Sequence, residues 1–223
     1  MTLLDASIHG RQMMRVISKV APDLPVSFIE VSDSMGCDPE DMARYVDALA
    51  DPGILCLCWG APSPSEPLRV ALASAAGRGI YTLAAAGNWG VLRLDTCDYP
   101  AQFDGVIAVG SCSRWWHLRS AFSPRSSRVD ILAPGEGWHD GWLVFGKRFA
   151  GTSPACAFAS ACADMVLKIH KDSIQSVEDL RYRLLDYTVP AMGGARALDA
   201  WMALKLRREL RVCQAIRQQP LSP

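Results

Sequence analysis

The chain has 223 residues, equal numbers of basic and acidic side chains, and a hydrophobic fraction of 50%. This length is most simply one domain with a substantial core, which we place at residues 1–213, followed by a disordered tail at 214–223. The zero formal charge gives no reason to expect nucleic acid or a membrane surface as a partner. No apolar run approaches the length of about 20 residues that a membrane span needs.

Apolar segments and amphipathic segments alternate along the first half of the chain. The predicted strands cover residues 2–5, 25–31, 53–59 and 80–85, and the predicted helices cover residues 9–20, 40–50 and 66–77. Continuous apolar strands separated by helices are typical of a parallel sheet that is covered on both faces. We therefore predict an α/β fold with a doubly wound, mostly parallel sheet and helices on both faces, in three layers. Ligand sites in such sheets lie beyond the carboxyl ends of the strands.

The second half continues with shorter strands and with helices. Strands are predicted at residues 105–111 and 129–133, a tryptophan- and glycine-rich ribbon at 136–150, and helices at 152–170, 176–186 and 197–213. The helix that begins at residue 152 is rich in alanine and other small residues, so its backbone can pack close to the sheet.

The eight cysteines suggest either disulfides or a metal site. Cys56 and Cys58 alternate within a predicted strand, and Cys156 and Cys162 lie in the small-residue helix. No second pair follows Cys56 and Cys58 at the spacing of a zinc site. We therefore expect buried thiols that act as small hydrophobes, with no metal and no disulfide. The first strand begins at the start of the sequence, without a signal peptide or pro-segment, which favours a reducing, cytoplasmic setting.

Three polar residues have the chemistry of an acyl-transfer site. Ser153 is predicted in the first turn of a buried helix, where its N–H is unpaired within the helix and the helix dipole favours negative charge. Asn88 follows a buried strand on a glycine-flanked turn, from which its amide can donate to a developing oxyanion. His9, at the start of the first helix, can supply a base. Each also has an ordinary alternative role: a helix cap, a turn residue and an exposed histidine.

The motifs around these residues resemble those of the subtilisin-like serine peptidases, the subtilases. The matching segments are, in chain order, residues 9–10, 85–88, 99–110, 121–124, 129–135 and 151–153. The first is similar to the histidine motif of that family, the second to its oxyanion-hole segment and the last to its nucleophile motif. Any one of these motifs is weak evidence, but the ordered set is specific, and the resemblance covers residues 2–203.

The resemblance implies a nucleophile at Ser153, a general base at His9, and an oxyanion hole formed by the Asn88 amide and the Ser153 N–H. It also implies that the segments after two central strands flank the main chain and the primary side chain of a peptide substrate. The implied substrate-binding residues are Trp59, Gly60, Ala61, Ala85, Ala86, Gly87 and Thr152. The bulk of Trp59 and Trp89 favours apolar or small residues at the cleavage position.

The triad aspartate is the main departure from the family pattern, because only three residues separate Asp5 from His9. Four residue steps span roughly 13–14 Å when extended, so an Asp–His contact is within reach. We predict that Asp5 is the aspartate; the alternative is that the family's strand is missing and that Asp5 is only a turn residue. The short path from His9 to Pro22 also leaves no room for the family's calcium loop, so no metal ion is expected.

These expectations favour a serine endopeptidase that cleaves a protein or peptide substrate by a Ser–His–Asp acyl-enzyme mechanism, without a cofactor. Broad digestion inside a cell would harm the host, so the preferred hypothesis is limited processing of a dedicated protein or peptide partner. Two alternatives remain open. One is a catalytically impaired relative that binds peptides or a partner, and the other is a transpeptidase or macrocyclase that uses the same acyl-enzyme.

Overall fold

The computed structural model describes residues 1–5, 7–31, 37–92, 96–113, 117–139, 148–191 and 194–217. The strands are β1 (Thr2–Asp5), β2 (Ser27–Glu30), β3 (Gly53–Leu57), β4 (Ile80–Ala85), β5 (Val106–Cys112), β6 (Ile131–Pro134), β7 (Trp138–His139), β8 (Arg148–Phe149), β9 (Val189–Pro190) and β10 (Arg196–Ala197). The helices are α1 (Ser7–Val20), α2 (Pro39–Asp47), α3 (Glu66–Gly77), α4 (Thr152–Ile169), α5 (Val177–Leu185) and α6 (Ala200–Arg217).

The main sheet has the strand order β2-β1-β3-β4-β5-β6-β10-β9. Its neighbouring strands are parallel, except that β10 and β9 are antiparallel. β7 and β8 form a separate antiparallel pair. The doubly wound, mostly parallel α/β fold that the sequence predicts is thus confirmed.

β3 illustrates how the sheet is covered on both faces. Ile54 and Cys56 pack into the core layer that contains α1 and α4, whereas Leu55 and Leu57 pack into the layer of α2 and α3. A strand directs successive side chains to opposite faces, and all four of these are fully buried. The sequence of β3 is a continuous apolar run because both faces of the strand are covered.

The chain changes direction along the sheet at β1, which lies between β2 and β3. Such a switch point opens a crevice at the carboxyl ends of the strands on either side of it. α1 begins directly beyond the carboxyl end of β1, and α4 packs against α1 and across β3, β4, β5 and β6. The central helix α4 therefore spans most of one face of the sheet.

Three segments differ from the sequence-based expectation or only partly meet it. The sequence does not predict β9 and β10, because strands of two residues carry no hydrophobic periodicity. α6 continues to Arg217, past residue 214, where we predicted that a tail begins, and residues 218–223 lie outside the described part of the chain. β7 and β8 pair near the two ends of the predicted ribbon, and residues 140–147 between them also lie outside it.

Among the helices in the described ranges, none combines the length and the apolar character needed to cross a membrane.

Candidate active site

The carboxyl ends of β3 and β4 meet the first turn of α4 at one edge of the sheet. Cys58 follows β3, and Gly87 and Asn88 follow β4. Hydrogen bonds connect Ser153 to Cys58, and connect Thr152 to both Gly87 and Asn88. Segments that are far apart in sequence therefore meet where this fold places its ligand sites.

The Asn88 carboxamide is held in one orientation by Thr152. Its Oδ1 accepts the Thr152 backbone N–H at 2.8 Å and the Thr152 hydroxyl at 3.2 Å. Thr152 is fully buried, and its Oγ1 accepts the Gly87 N–H at 3.1 Å. A flipped amide would place its NH2 group against the Thr152 N–H, so the network allows only the observed orientation. The Nδ2 group of Asn88 is thereby directed away from Thr152.

Ser153 is half-buried in the first turn of α4, next to Cys58. Its Oγ donates to the Cys58 carbonyl at 3.1 Å, and the Cys58 thiol donates to the Ser153 carbonyl at 3.3 Å. The first N–H groups of a helix have no carbonyl partner within it, so the Ser153 N–H can bind an anion. Attack by the Ser153 Oγ requires its proton to leave the Cys58 carbonyl and pass to a base.

Asp98 is a residue of this edge that sequence reasoning missed. Its buried side chain lies between two predicted substrate-binding glycines: a Cβ added to Gly60 would lie 2.9 Å from the Asp98 Cβ, and one added to Gly87 would lie 2.8 Å from its Cγ. The Trp89 indole N–H donates to the two carboxylate oxygens at 3.0 and 3.1 Å, and the Asp98 N–H donates to the Ala86 carbonyl at 2.9 Å. The Asp98 side chain thus separates the segments of Gly60 and Gly87 and binds the Trp89 indole. The sequence signal for Asp98 was its position directly before residues 99–110, one of the segments that resemble the subtilases.

Replacing Gly87 by alanine should destabilise this edge. Gly87 has φ of +99°, and a Cβ there would meet the Asp98 carboxylate. We expect a loss of about 1–3 kcal/mol in the free energy of unfolding, measured by urea denaturation, because the strained backbone adds to the clash. Gly77→Ala is the matched control, since an added Cβ there meets nothing within 4 Å. Equal free energies of unfolding for the Gly87→Ala variant and the parent would show that the contact with Asp98 does not require glycine at residue 87.

The other predicted substrate-binding residues lie along the same two segments. Ala61 exchanges two hydrogen bonds of 2.8 Å with Tyr99, in an isolated antiparallel bridge. Trp59 is half-buried and packs against the core on the α2 and α3 side of the sheet. Ala85 and Ala86 are buried, so their contribution to a bound peptide would come from their main chain.

The predicted base and aspartate lie at the adjoining ends of α1 and β1. His9 is half-buried in the first turn of α1, which begins directly beyond the carboxyl end of β1. Asp5 is the last residue of β1 and lies in register with Glu30 of β2. The Asp5 side chain falls outside the described part of the structure, so its contact with His9 stays a prediction.

Three thiols, those of Cys56, Cys58 and Cys156, form a buried cluster beneath this edge. The Cys56 Sγ lies 3.5 Å from that of Cys58 and 3.9 Å from that of Cys156. Burial raises the pKa of the Cys58 and Cys156 thiols; it acts in the same direction on Cys56, but hydrogen bonds from its thiol neighbours and Ser160 outweigh it and lower the pKa of Cys56. Cysteine spacing could not reveal this cluster, because Cys56 and Cys156 are 100 residues apart.

The arrangement has the groups that acyl transfer at a serine requires. A hydroxyl lies at the start of a buried helix, a carboxamide of fixed orientation lies beside it, and a histidine lies at the same edge of a doubly wound sheet. The fold and the positions of these groups define an α/β protein with a candidate acyl-transfer site at the carboxyl ends of its parallel strands.

Comparison with known proteins gives the family. The profile of the Subtilase family matches residues 6–199, and the chain belongs to that family. The major intracellular serine protease of Bacillus subtilis (strain 168) is 32% identical over 144 residues, which make up 61% of this chain and 44% of that protein. The chain spans less than half the length of the curated relatives that it matches.

Solved structures show the same fold. The self-cleaved protease domain of PatA superposes with a TM-score of 0.76 at 22% identity, covering 93% of this chain and 95% of that one. The prenylagaramide maturation protease PagA superposes with a TM-score of 0.74 at 19% identity, covering 92% of both chains. At these identities the likeness is one of fold.

Proposed function

We propose that this chain is a serine endopeptidase that hydrolyses peptide bonds through an acyl-enzyme. The proposal rests above all on one observation: the buried Thr152 orients the Asn88 amide beside the Ser153 turn. An oxyanion hole acts through donors that are in place before charge develops, and this network supplies such a donor. The subtilase family to which the chain belongs supports the same reaction.

In the proposed mechanism, the Ser153 Oγ attacks the carbonyl carbon of the scissile bond and His9 takes its proton. The Asn88 Nδ2 and the Ser153 N–H bind the oxyanion of the tetrahedral intermediate. His9 then gives the proton to the leaving amine, and water resolves the acyl-enzyme by the same steps. Asp5 is proposed to orient His9. No cofactor takes part in this mechanism.

The substrate is proposed to bind as an extended strand between residues 59–61 and 85–87. In a strand the N–H and C=O of one residue point to one side, and those of the next residue to the other. Because Ala61 directs its main-chain groups to Tyr99, strand geometry would direct those of Gly60 to the opposite side, where we propose that a peptide pairs. The preference for apolar or small residues at the cleavage position stays a prediction. Peptides that differ only at that position would test it. Basic residues should be included among them, because the neighbouring Asp98 carboxylate would favour a positive charge.

Limited processing of a dedicated peptide or protein partner, in the cytoplasm, is the proposed biology. It is supported by fold neighbours that are named maturation proteases and by a relative that is named an intracellular serine protease. Nucleic acid and membranes are not expected as partners, given the zero formal charge.

Mass spectrometry of the products from a mixed peptide library tests this reaction against both alternatives. The proposal predicts pairs of linear fragments, each pair carrying one added water. Joined or cyclic peptides would instead indicate a transpeptidase or macrocyclase. Peptide binding without products, from a folded protein, would indicate a catalytically impaired binding protein.

The proposal also predicts the effect of removing the oriented donor. We expect Asn88→Ala to lower kcat by about 10²–10³ with a smaller change in KM; this is the loss measured for an oxyanion-hole asparagine in subtilisin. Steady-state kinetics on one cleaved peptide would measure it. A folded Asn88→Ala variant with parental kcat would rule out the proposed oxyanion role of this amide.

A further inference from the structure

The buried cluster of Cys56, Cys58 and Cys156 has the geometry of a metal site. The three sulfur atoms all lie within 4.8 Å of one another, with closest separations of 3.5 and 3.9 Å. A metal ion with sulfur ligands at about 2.3 Å places them roughly 4.0 Å apart in a trigonal plane and roughly 3.8 Å apart in a tetrahedron. One ion could therefore bind all three sulfurs with small side-chain adjustments.

Two rigid elements bring the sulfurs together. Cys56 and Cys58 are two residues apart along the line of β3, so both side chains project to the face that α4 covers. Cys156 lies in the first turns of α4, where that helix crosses β3. Ligands on packed strands and helices are held more precisely than ligands on loops, which reduces the ordering cost of binding.

We propose that Cys56, Cys58 and Cys156 bind one soft, thiophilic metal ion, Cu(I) or Zn(II), as a thiolate site beneath the Ser153 turn. Thiolate ligands select these ions over hard cations such as calcium and magnesium. Binding replaces three S–H bonds by three metal–sulfur bonds and releases three protons to water, so no oxidant or reductant is needed. Sequence spacing favoured a purely hydrophobic role for these thiols, since it could not show the third ligand.

Metal binding at this cluster should act on Ser153 through Cys58. The Cys58 thiol donates to the Ser153 carbonyl, and the Cys58 carbonyl accepts the Ser153 hydroxyl. A thiolate bound to metal has no proton to donate, so the first of these bonds is lost and the start of α4 must readjust. A displacement of about 1 Å can slow a reaction by about 10²-fold, so we expect the metal-loaded protein to react at least about tenfold more slowly at Ser153. This consequence rests on the proposed function, whereas metal binding itself does not.

The test uses the full chain in a Cys37→Ser, Cys213→Ser background, which removes the two partly exposed thiols. The reduced, metal-free protein is titrated with Cd(II), a spectroscopic probe whose thiolate charge-transfer band reports sulfur ligation. Competition with chromogenic chelators then gives affinities for Zn(II) and for Cu(I), and so distinguishes the two ions. We expect one ion per chain, with affinity lowered at least about tenfold by Cys156→Ser. Cys162→Ser, a buried thiol elsewhere on α4, is the matched control and should bind as the background protein does.

Two results would overturn the site: no charge-transfer band in the folded background protein, or unchanged affinity in Cys156→Ser. Circular dichroism of each variant separates lost ligands from lost folding, and Cys58→Ala gives a second removal if Cys156→Ser does not fold. Binding without slower labelling of Ser153 by a fluorophosphonate would keep the site and reject its coupling to the serine. Metal binding by a protein whose Ser153 never reacts would reject the proposed function and leave the metal site standing.

Discussion

Replacing Ser153 by alanine is expected to lower kcat for peptide hydrolysis by about 10⁶, the size of the loss found when the nucleophile of subtilisin is removed. The structure offers no replacement hydroxyl in the same turn, because that of Thr152 is buried and bonded to Asn88. Steady-state kinetics on a cleaved peptide, with circular dichroism to verify folding, would measure the loss.

Ser173→Ala is the control for this substitution. Ser173 is exposed and its hydroxyl bonds only locally, to the His170 carbonyl at 3.1 Å, so its loss should leave kcat at the parental value. A Ser153→Ala protein that keeps parental activity would exclude Ser153 as the nucleophile.

Replacing His9 by alanine should be nearly as damaging, with kcat again lower by about 10⁶, since nucleophile and base act as one unit in subtilisin. The double variant with Ser153→Ala should then lose little beyond either single variant. His170→Gln is the matched control: His170 bonds to the Tyr187 hydroxyl at 3.0 Å on the far part of the fold, so stability rather than kcat should change. Additive losses for His9 and Ser153 would contradict a shared proton-transfer step.

Asp5→Asn separates the two interpretations of the aspartate. If Asp5 orients His9, removing its charge should lower kcat by about 10⁴. If Asp5 is only a turn residue at the end of β1, the substitution should change kcat little. The comparison is made on the same peptide as the His9 variant, with both proteins shown to be folded.

The central sheet could be predicted from sequence for a clear physical reason. Strands such as β3 and β4 are covered on both faces, which forces continuous apolar runs that are easy to recognise between amphipathic helices. The start of α4 could also be predicted, because residues 151–153 resemble the nucleophile motif of the subtilases and a run of small residues follows them. β9 and β10 are too short to carry such a pattern.

The details of the site depended on contacts that sequence order does not encode. Asp98 lies between Gly60 and Gly87 only because two loops fold over the same edge. The cluster of Cys56, Cys58 and Cys156 exists only because α4 crosses β3. Motifs could place the candidate catalytic groups on their helices and strands. The position of Asp98 between the two glycines and the cluster of buried thiols depend on how those helices and strands pack.

The orientation of the Asn88 amide links packing to chemistry. Its donors are fixed by Thr152, which is buried because α4 packs directly on the sheet through its small side chains. Each step follows from the previous one: small residues allow close packing, close packing buries Thr152, and Thr152 aims the amide.

Labelling with a fluorophosphonate, followed by peptide mapping, tests the central claim most directly. We expect a single phosphonyl adduct, on Ser153, and a strong reduction of that adduct in the His9→Ala variant. A folded protein that takes up no label, or that carries the label on another residue, would contradict it.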